Sequence, residues 1–342
     1  MKALVWEGPR QMVMHDQSEP TVEANEVLIK VAYAGICGSE LSGYLGHNAL
    51  RVPPLVMGHE FSGEIVKLGV DAQAQNPTLD TGQRVTVNPL ISESQDTYVQ
   101  RGLAQLSPSR QLIGAHRPGA YAEYVAVPAR AAMPLPAGMS LRIGALTEPV
   151  AVGMRIAELA GEVTGQTVLI IGAGPIGLLA LQALQAKGVA QVFVSDLDSA
   201  RLQMAQELGG TPLNPKTDDI VQTVREASDG LGVPVSIDAV GMGVTRTQCV
   251  SATRPAGTVI LSGLHEEVSQ MPAADIIRRE IVVRGSFAYS PANFADALAK
   301  LAQGQMQLDP WIIEAPLADG GGWFDRLIDA PGDVAKVLLI PA

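Results

Sequence analysis

The spacing of apolar and polar residues changes character near residue 149. Before that point, β-branched and small residues recur at about every second position in short runs that glycine and proline separate. Because side chains alternate between the two faces of a strand, this period predicts strands near 26–35, 61–69, 83–89 and 120–128. The first part of the chain is therefore expected to be an irregular all-β unit.

Two periods alternate after Pro149. Apolar runs such as "QTVLIIG" are followed by segments such as "PIGLLALQALQAKG", in which apolar residues recur every three or four positions. This alternation of strand and helix is typical of βαβ units that form a parallel sheet. Near the C-terminus, "AKVLLIPA" predicts a last strand. The helix predicted before it should bury Phe294, Ala297, Leu298 and Leu301 on one face.

The length and composition favour two compact domains. A chain of 342 residues is longer than one ordinary core requires, and 47% hydrophobic with 17% charged residues allows large cores to be buried. We expect one domain made of 1–149 and 289–342, and a second made of 150–288.

Charge and hydropathy argue against several classes of partner. The net charge is −11 and the lysines and arginines are scattered, which is unfavourable for binding nucleic acid. The apolar runs are shorter than the roughly 18 residues that a membrane span requires. The start "MKALVWEGPR" lacks an apolar leader, and two cysteines cannot form a disulfide framework. A cytoplasmic protein with neither nucleic-acid nor membrane partners is expected.

The stretch "TVLIIGAGPIGLLA" carries a GxGxxG motif between a predicted strand and a predicted helix. Gly172 permits a tight turn, Gly174 lets a pyrophosphate approach the backbone, and Gly177 allows the helix to pack closely on the strand. The helix N-terminus then faces the phosphate charge. The motif predicts a dinucleotide site, with Pro175 and Ile176 of the same turn beside the cofactor.

The choice between NAD and NADP depends on the end of the next strand. Asp196 lies nineteen residues after Gly177, where its carboxylate can accept a hydrogen bond from a ribose 2′-hydroxyl. Arg201 could bind a 2′-phosphate, but the charge of Asp196 would repel that phosphate. NAD is the predicted cofactor. The alternative is that the glycines serve only packing and that Asp196 caps the next helix.

A second set of polar residues is scattered through the first part of the chain. Cys37 lies in "AGICGSE", His59 and Glu60 follow a turn in "PPLVMGHEFSG", and Glu148 lies near the predicted domain boundary. A cysteine, a histidine and a carboxylate with one open position form the ligand set of a catalytic zinc. Taken singly, each residue also has a structural interpretation, as a buried thiol, a turn or a solvated carboxylate.

Several motifs occur in the order and spacing of one enzyme family. The stretches "AGICGSE", "PPLVMGHEFSGEIVKLG", "GQRVTVNP", "YAEYVAVP", "LTEPVAV" and "VLIIGAGPIGLLA" resemble those of the zinc-dependent medium-chain alcohol dehydrogenases. The resemblance covers the whole chain and is strongest to the polyol (sorbitol), threonine, butanediol and galactitol-phosphate dehydrogenase branch. It implies an α/β protein with a GroES-like β-barrel catalytic domain and a Rossmann domain, whose doubly wound parallel sheet binds the nucleotide.

The resemblance also implies roles for individual residues. Cys37 and His59 match the family's zinc ligands, and Glu60 matches a position that ligates the metal or supports a ligand. Glu148 matches the mobile glutamate that ligates directly or through water in the polyol and threonine branches. Ser39 matches the serine or threonine that contacts the substrate oxygen.

Two features of the family are missing. Its four lobe cysteines, which hold a structural zinc, correspond to Glu93, Asp96, Val99 and Ser107. None of these is a thiolate, so one catalytic zinc per chain and no structural zinc are expected. The usual histidine five residues after the zinc cysteine is Ser42, which leaves His47 as a candidate end of a proton relay. Cys249 has no matching partner and is expected to be a buried structural thiol.

The expected reaction is zinc-dependent oxidation of a secondary alcohol, such as a polyol or vicinal diol, to a ketone by hydride transfer to NAD. One alternative is an L-threonine or sugar-alcohol-phosphate dehydrogenase, and another is a zinc-free quinone reductase-like or non-catalytic nucleotide-binding protein. Arg51, His116 and Arg117 either bind a substrate phosphate or carboxylate, or form ion pairs within the protein. The resemblance further implies a homodimer or homotetramer.

Overall fold

The computed structural model describes residues 1–92 and 96–341. The chain divides into two compact units. The first consists of Met1–Glu148, Ser290–Gly304 and Asp309–Ala342, and the second of Pro149–Tyr289 and Gln305–Leu308. The boundaries expected at 149 and 289 each differ from these by one residue. The segment 305–308 was expected in the first unit and belongs to the second.

The reason for this difference is a hydrogen-bonded pair. The side-chain amide of Gln182 donates to the carbonyl of Gln307 at 2.8 Å and accepts from its N–H at 2.9 Å. A helix of the second unit therefore holds this short segment, although the chain on either side of the segment packs in the first unit.

The elements of the first 144 residues are short strands with short helices between them. In order they are β1 (Lys2–Gly8), β2 (Gln11–Asp16), β3 (Glu26–Gly35), α1 (Gly38–Tyr44), β4 (Leu55–Val56), β5 (Glu60–Leu68), α2 (Ala72–Gln75), β6 (Arg84–Val87), β7 (Leu90–Ile91), α3 (Thr97–Gln100), β8 (Gln111–Leu112), β9 (Tyr124–Pro128), β10 (Ala132–Pro134) and α4 (Leu141–Gly144).

Longer helices alternate with strands in the middle of the chain. These elements are α5 (Thr147–Leu159), β11 (Thr167–Ile171), α6 (Pro175–Ala186), β12 (Gln191–Ser195), α7 (Ser199–Glu207), β13 (Thr211–Leu213), α8 (Ile220–Glu226), β14 (Val233–Asp238), α9 (Gly243–Ala252), β15 (Thr253–Leu261), α10 (Ala273–Arg278) and β16 (Val282–Gly285). The C-terminal elements are α11 (Pro291–Ala302), β17 (Ile312–Pro316), α12 (Gly320–Asp329) and β18 (Lys336–Ile340).

The first unit is organised around β3. This strand pairs antiparallel with β5, β9 and β18, inside a sheet of order β10, β6, β5, β3, β18 and β17. Because β18 pairs with the end of β3, the C-terminal strand lies beside the residues that lead into α1. The helix α11 buries Phe294, Ala297, Leu298 and Leu301, as its period predicts.

The second unit is a parallel sheet of order β13, β12, β11, β14, β15 and β16. The central strand β11 is an uninterrupted buried run from Val168 to Ile171, typical of a parallel sheet covered on both faces. The strand order reverses between β11 and β14, and ligands of doubly wound sheets bind at such a switch point. The predicted Rossmann sheet is thus present. Among the described residues, no helix is both long and apolar enough to cross a membrane.

Candidate metal and nucleotide sites

Cys37, His59 and Glu60 come together in the first unit. One potential ligand atom of each residue lies within 4.8 Å of those of the other two. The pairing of β3 with β5 sets Gly35 opposite Glu60, which brings the start of α1 against the start of β5. A thiol, an imidazole and a carboxylate are the donor types that zinc binds in catalytic sites, so these residues fit the metal that the sequence predicts.

His59 is oriented by a carboxylate that the sequence analysis missed. Its Nδ1 lies 2.9 Å from Oε1 of Glu40, and both side chains are buried. Because an ionised carboxylate can only accept, the ring hydrogen lies on Nδ1 and Nε2 is left for a metal. The sequence could have indicated this role through one feature, since Glu40 lies only three residues after Cys37, in the first turn of the helix that Cys37 caps.

Glu40 is held by several donors at once. Its oxygens accept hydrogen bonds from the N–H groups of Gly58 at 2.8 Å and Cys37 at 3.2 Å, and from the hydroxyl of Tyr121. Burial alone would raise the pKa of Glu40, but the charge and hydrogen bond of His59, with smaller effects of Arg51 and Tyr121, lower that pKa to about 2. Glu40 is therefore an anion at neutral pH, with a fixed orientation.

Glu60 is paired with a second residue that the sequence analysis missed. Nζ of Lys336 lies 2.9 Å and 2.7 Å from the two carboxylate oxygens, and it also donates to the carbonyl of Ile36 at 3.1 Å. Burial would lower the pKa of Lys336, but the charge of Glu60 raises it, so the lysine remains a cation. A Cβ at Gly35 would lie 2.3 Å from Oε2 of Glu60, so only glycine leaves room for this carboxylate.

Glu148 lies in the first turn of α5 and is 8% exposed. It is not a member of the three-residue group of Cys37, His59 and Glu60. Its charge does act on Lys336, whose pKa it helps to raise. Of the four predicted metal ligands, the structure thus gathers three and places the fourth within electrostatic range of the lysine.

Ser39 is hydrogen-bonded to both Cys37 and Arg51. The Ser39 hydroxyl donates to Sγ of Cys37 at 3.5 Å. The guanidinium of Arg51 donates to the Ser39 carbonyl at 3.2 Å and to its hydroxyl oxygen at 3.3 Å. His47, the candidate end of a proton relay, is exposed.

The two other candidates for binding an anion are engaged within the fold. Arg117 donates to Oε1 of Glu26 at 2.5 Å and to the carbonyl of Ala126 at 3.0 Å, so its ion-pair interpretation is the one observed. His116 is exposed, and its Nδ1 accepts from the N–H of Leu112 at 2.9 Å.

The three motif glycines of the second unit meet different surroundings. Gly172 has φ of +107°, and a Cβ there would lie 2.8 Å from Cγ2 of Val240. A Cβ at Gly177 would lie 1.8 Å from the carbonyl oxygen of Gly172, so the helix packs directly on the turn. At Gly174 no described heavy atom lies within 4 Å of such a Cβ, which leaves the backbone open. Gly174 caps α6, and Pro175 with Ile176 begins it.

Asp196 contacts this turn. Its Oδ2 accepts from the N–H of Ala173 at 2.8 Å, and its Oδ1 accepts from the N–H of Asp198 at 3.0 Å. Asp198, rather than Asp196, caps α7, since it accepts from the N–H groups of Ala200 and Arg201. Arg201 therefore lies in the first turn of α7, five residues after Asp196 in the sequence.

In the lobe that lacks the four cysteines, hydrogen bonds connect Asp96 to Ser107 and Ser109. Asp96 caps α3 and accepts from the hydroxyls of Ser107 at 2.7 Å and Ser109 at 3.3 Å. Val99 lies within α3, and Glu93 falls outside the described residues. Cys249 is fully buried in α9, where burial raises the pKa of its thiol, so it is the buried thiol that the sequence predicts.

Comparison with known proteins identifies the family of this chain. Residues 23–137 match the alcohol dehydrogenase GroES-like domain, and residues 175–303 match the zinc-binding dehydrogenase family. The chain is 32% identical to (R,R)-butanediol dehydrogenase of Bacillus subtilis (strain 168) over 333 residues, or 93% of each chain. It is 31% identical to sorbitol dehydrogenase of Bos taurus, covering 91% of this chain and 88% of that one.

Solved structures extend the likeness to the fold. The crystal structure of 2R,3R-butanediol dehydrogenase from Bacillus subtilis matches with a TM-score of 0.91 at 30% identity, over 100% of this chain and 99% of the other. The likeness includes both the GroES-like and the nucleotide-binding parts. The chain belongs to the zinc-dependent medium-chain alcohol dehydrogenase family.

Proposed function

We propose that the protein oxidises a polyol or vicinal diol to a ketone, with one zinc held by Cys37, His59 and Glu60. The observation that carries this proposal is the close grouping of these three residues, of which His59 and Glu60 are buried, with Glu40 fixing the tautomer of His59. As a zinc-family dehydrogenase, the protein acts on a CH–OH group with a nicotinamide cofactor.

Cys37, His59 and Glu60 would hold a zinc ion whose Lewis acidity would lower the pKa of the substrate hydroxyl, and a bound nicotinamide cofactor would provide the hydride acceptor. The Ser39 hydroxyl, which lies 3.5 Å from Sγ of Cys37, would hydrogen-bond the substrate oxygen. Lys336 offsets the charge of Glu60. We assign Glu148 as a further ligand, direct or through water, because it matches the mobile glutamate of the polyol and threonine branches and begins α5 as a residue only 8% exposed.

The proposed cofactor is NAD. Its pyrophosphate would lie against Gly172, Gly174 and Gly177, where the open backbone at Gly174 leaves space for it. Pro175 and Ile176 begin the helix at this turn. Each oxygen of Asp196 accepts one backbone hydrogen bond and retains a lone pair for a ribose hydroxyl. The same carboxylate would repel a 2′-phosphate near Arg201.

The proposed substrates are hydrophilic and uncharged. Relatives are named for butanediol and sorbitol, and only 4% of residues are aromatic, which is unfavourable for a large apolar pocket. Arg117 is paired with Glu26 and Arg51 is directed at Ser39, so both are engaged before any substrate phosphate binds.

We also propose a cytoplasmic homo-oligomer, a dimer or a tetramer. The edge strand β16 exposes 45% of Val282 and 38% of Val283. An edge of this kind offers unpaired backbone groups to a second copy. The lobe at Asp96 would hold no zinc, because its hydroxyls and carboxylate are poor substitutes for four thiolates.

Elemental analysis of protein purified without added metal tests the metal proposal. We expect about one zinc per chain in the wild type and in Cys249→Ala, and none in Cys37→Ser. NADH formation with a panel of diols and polyols should fall in parallel with the zinc content. Absence of zinc from the wild type would overturn the proposal, and two zinc ions per chain would overturn the proposed empty lobe.

A further inference from the structure

Arg51 is a buried cation directed at a single residue. Its side chain belongs to a residue that is only 3% exposed, and two of its nitrogens donate to Ser39, one to the carbonyl and one to the hydroxyl oxygen. Its Nε is buried without a hydrogen-bond partner among the described residues. The position of Arg51 therefore depends on Ser39 more than on any other polar group.

These contacts determine the direction of the Ser39 hydroxyl. A guanidinium has donors only, so the oxygen of Ser39 must accept from Arg51, and its single hydrogen points elsewhere. That hydrogen is directed toward Sγ of Cys37, which lies 3.5 Å from the Ser39 oxygen. Arginine does not release its proton in proteins, so Arg51 cannot extend a proton relay from Ser39.

The stem of Arg51 is fixed by the helix that follows Cys37. A Cβ at Gly43 in α1 would lie 2.7 Å from Cδ of Arg51, so the arginine passes across the helix where it carries no side chain. Glu40 lies within electrostatic range of the guanidinium and offers a buried negative charge. Packing and charge together hold the guanidinium at Ser39.

We propose that Arg51 is a positioning residue that keeps Ser39 as a hydrogen-bond donor to the substrate oxygen. The proposal rests on the proposed alcohol oxidation and assigns Arg51 to the reacting centre rather than to a substrate phosphate. A hydroxyl that accepts from a cation is polarised and donates more strongly. Such a donor stabilises an oxygen on which negative charge develops.

A double-mutant cycle tests this coupling. Arg51→Met and Ser39→Ala should each lower kcat for a neutral diol by roughly 10- to 100-fold, and the double variant should be no slower than Ser39→Ala. The KM for NAD and the zinc content should stay at wild-type values. Arg84→Met, an exposed arginine on β6, is the matched control. Losses that multiply in the double variant would overturn the proposal.

Two further variants separate positioning from folding. Gly43→Ala favours the helix but places a methyl group against the Arg51 stem, so kcat should fall while the melting temperature is kept. Arg51→Lys retains the charge and one donor, and should recover part of the rate lost in Arg51→Met. Unchanged kcat in Gly43→Ala, together with an Arg51→Lys variant that is no faster than Arg51→Met, would contradict the proposal.

Binding of an unreactive amide provides a readout that does not depend on turnover. The amide oxygen accepts a hydrogen bond but cannot lose hydride, and its binding in the presence of NADH is followed by NADH fluorescence. Affinity should fall roughly 5- to 10-fold in Ser39→Ala and in Arg51→Met, without further loss in the double variant. Unchanged affinity in Arg51→Met would overturn the proposal.

The outcomes distinguish this inference from the proposed function. A wild type that oxidises no alcohol in the panel contradicts the proposed function, and amide binding then decides the role of Arg51. An Arg51→Met variant that raises KM for a phosphorylated polyol alone, and leaves neutral diols unaffected, would show that Arg51 binds substrate anions instead.

Discussion

The candidate metal site and the glycine turn are built in opposite ways. The turn and Asp196 lie within one strand–helix–strand unit, and the shape of the turn depends on the absence of side chains at Gly172 and Gly177. The metal site gathers Cys37, which follows β3, and Glu60, which begins the paired strand β5, and it adds Lys336 from 276 residues beyond Glu60 in the sequence. One site depends on local shape, and the other on the register of strands that are distant in the sequence.

The two sites also differ in electrostatics. In the metal site, buried charges balance one another: Glu40 faces His59, and Glu60 faces Lys336. At the glycine turn the backbone at Gly174 is unobstructed, and a single carboxylate, that of Asp196, lies beside the turn. A substitution in the metal site should therefore mainly lower stability, whereas a substitution at Gly174 or Asp196 should mainly lower ligand affinity.

The largest effect is expected from breaking the buried ion pair. Lys336→Met leaves the carboxylate of Glu60, a residue only 1% exposed, without its cation, which should lower the free energy of unfolding by about 3–5 kcal/mol. Chemical denaturation of the metal-free protein measures this loss. The double variant with Glu60→Gln should recover part of it, because the uncompensated charge is gone. A loss of under about 1 kcal/mol in Lys336→Met would show that the pair is not buried in solution.

A pair of glycine variants separates shape from affinity in the turn. In Gly177→Ala the new methyl carbon would lie 1.8 Å from the carbonyl oxygen of Gly172, so stability should fall by about 1–3 kcal/mol. In Gly174→Ala the methyl group meets open space, so stability should be kept while NADH binds more weakly. Thermal unfolding and NADH fluorescence give the two readouts. Wild-type NADH affinity in Gly174→Ala would place the pyrophosphate elsewhere.

A smaller effect is expected from Asp196→Asn. The amide offers one oxygen where the carboxylate offers two, so one backbone hydrogen bond is lost, together with the negative charge. The kcat/KM for NAD should fall roughly 10-fold and that for NADP much less, since the repulsion of its 2′-phosphate is relieved. Steady-state kinetics with both cofactors measure the ratio. An unchanged ratio would contradict the role assigned to Asp196.

The smallest effect is expected in the lobe. Asp96→Ala removes the cap of α3 and the acceptor of Ser107 and Ser109, so the melting temperature should fall by about 2–4 °C. Zinc content and kcat should be those of the wild type. A loss of zinc in this variant would mean that Asp96 binds metal.

The features that could be predicted from the sequence are the local ones, and those that were missed depend on contacts between distant parts of the chain. The two sheets and the glycine turn were predicted, because their signals lie within short windows of hydrophobic period and turn residues. Lys336 was missed because nothing in "AKVLLIPA" indicates that its lysine points inward at Glu60. Glu40 had a local signal in its position after Cys37, but its role appears only when β5 pairs with β3.

The open choice for the arginines was decided by packing. In the sequence, Arg117 and Arg51 are both cations in predicted loops. Either could have bound an anion or formed contacts within the protein. Arg117 meets the carboxylate of Glu26, and Arg51 meets Ser39. Such contacts depend on side-chain positions within a few ångströms, which no hydrophobic pattern encodes. The grouping of the segment 305–308 with the second unit could not be predicted for the same reason, since a side-chain amide holds it.

The loss of the lobe thiols has a practical consequence. With only two cysteines in the chain, and with Cys249 fully buried and its thiol pKa raised, Cys37 is the accessible thiol. A metal ion would shield that sulfur from electrophiles, whereas the metal-free chain leaves it partly exposed. One equivalent of an alkylating reagent should therefore label only chains with empty sites. The unlabelled fraction, read by intact mass, would count the chains of a preparation that hold metal and are ready to turn over.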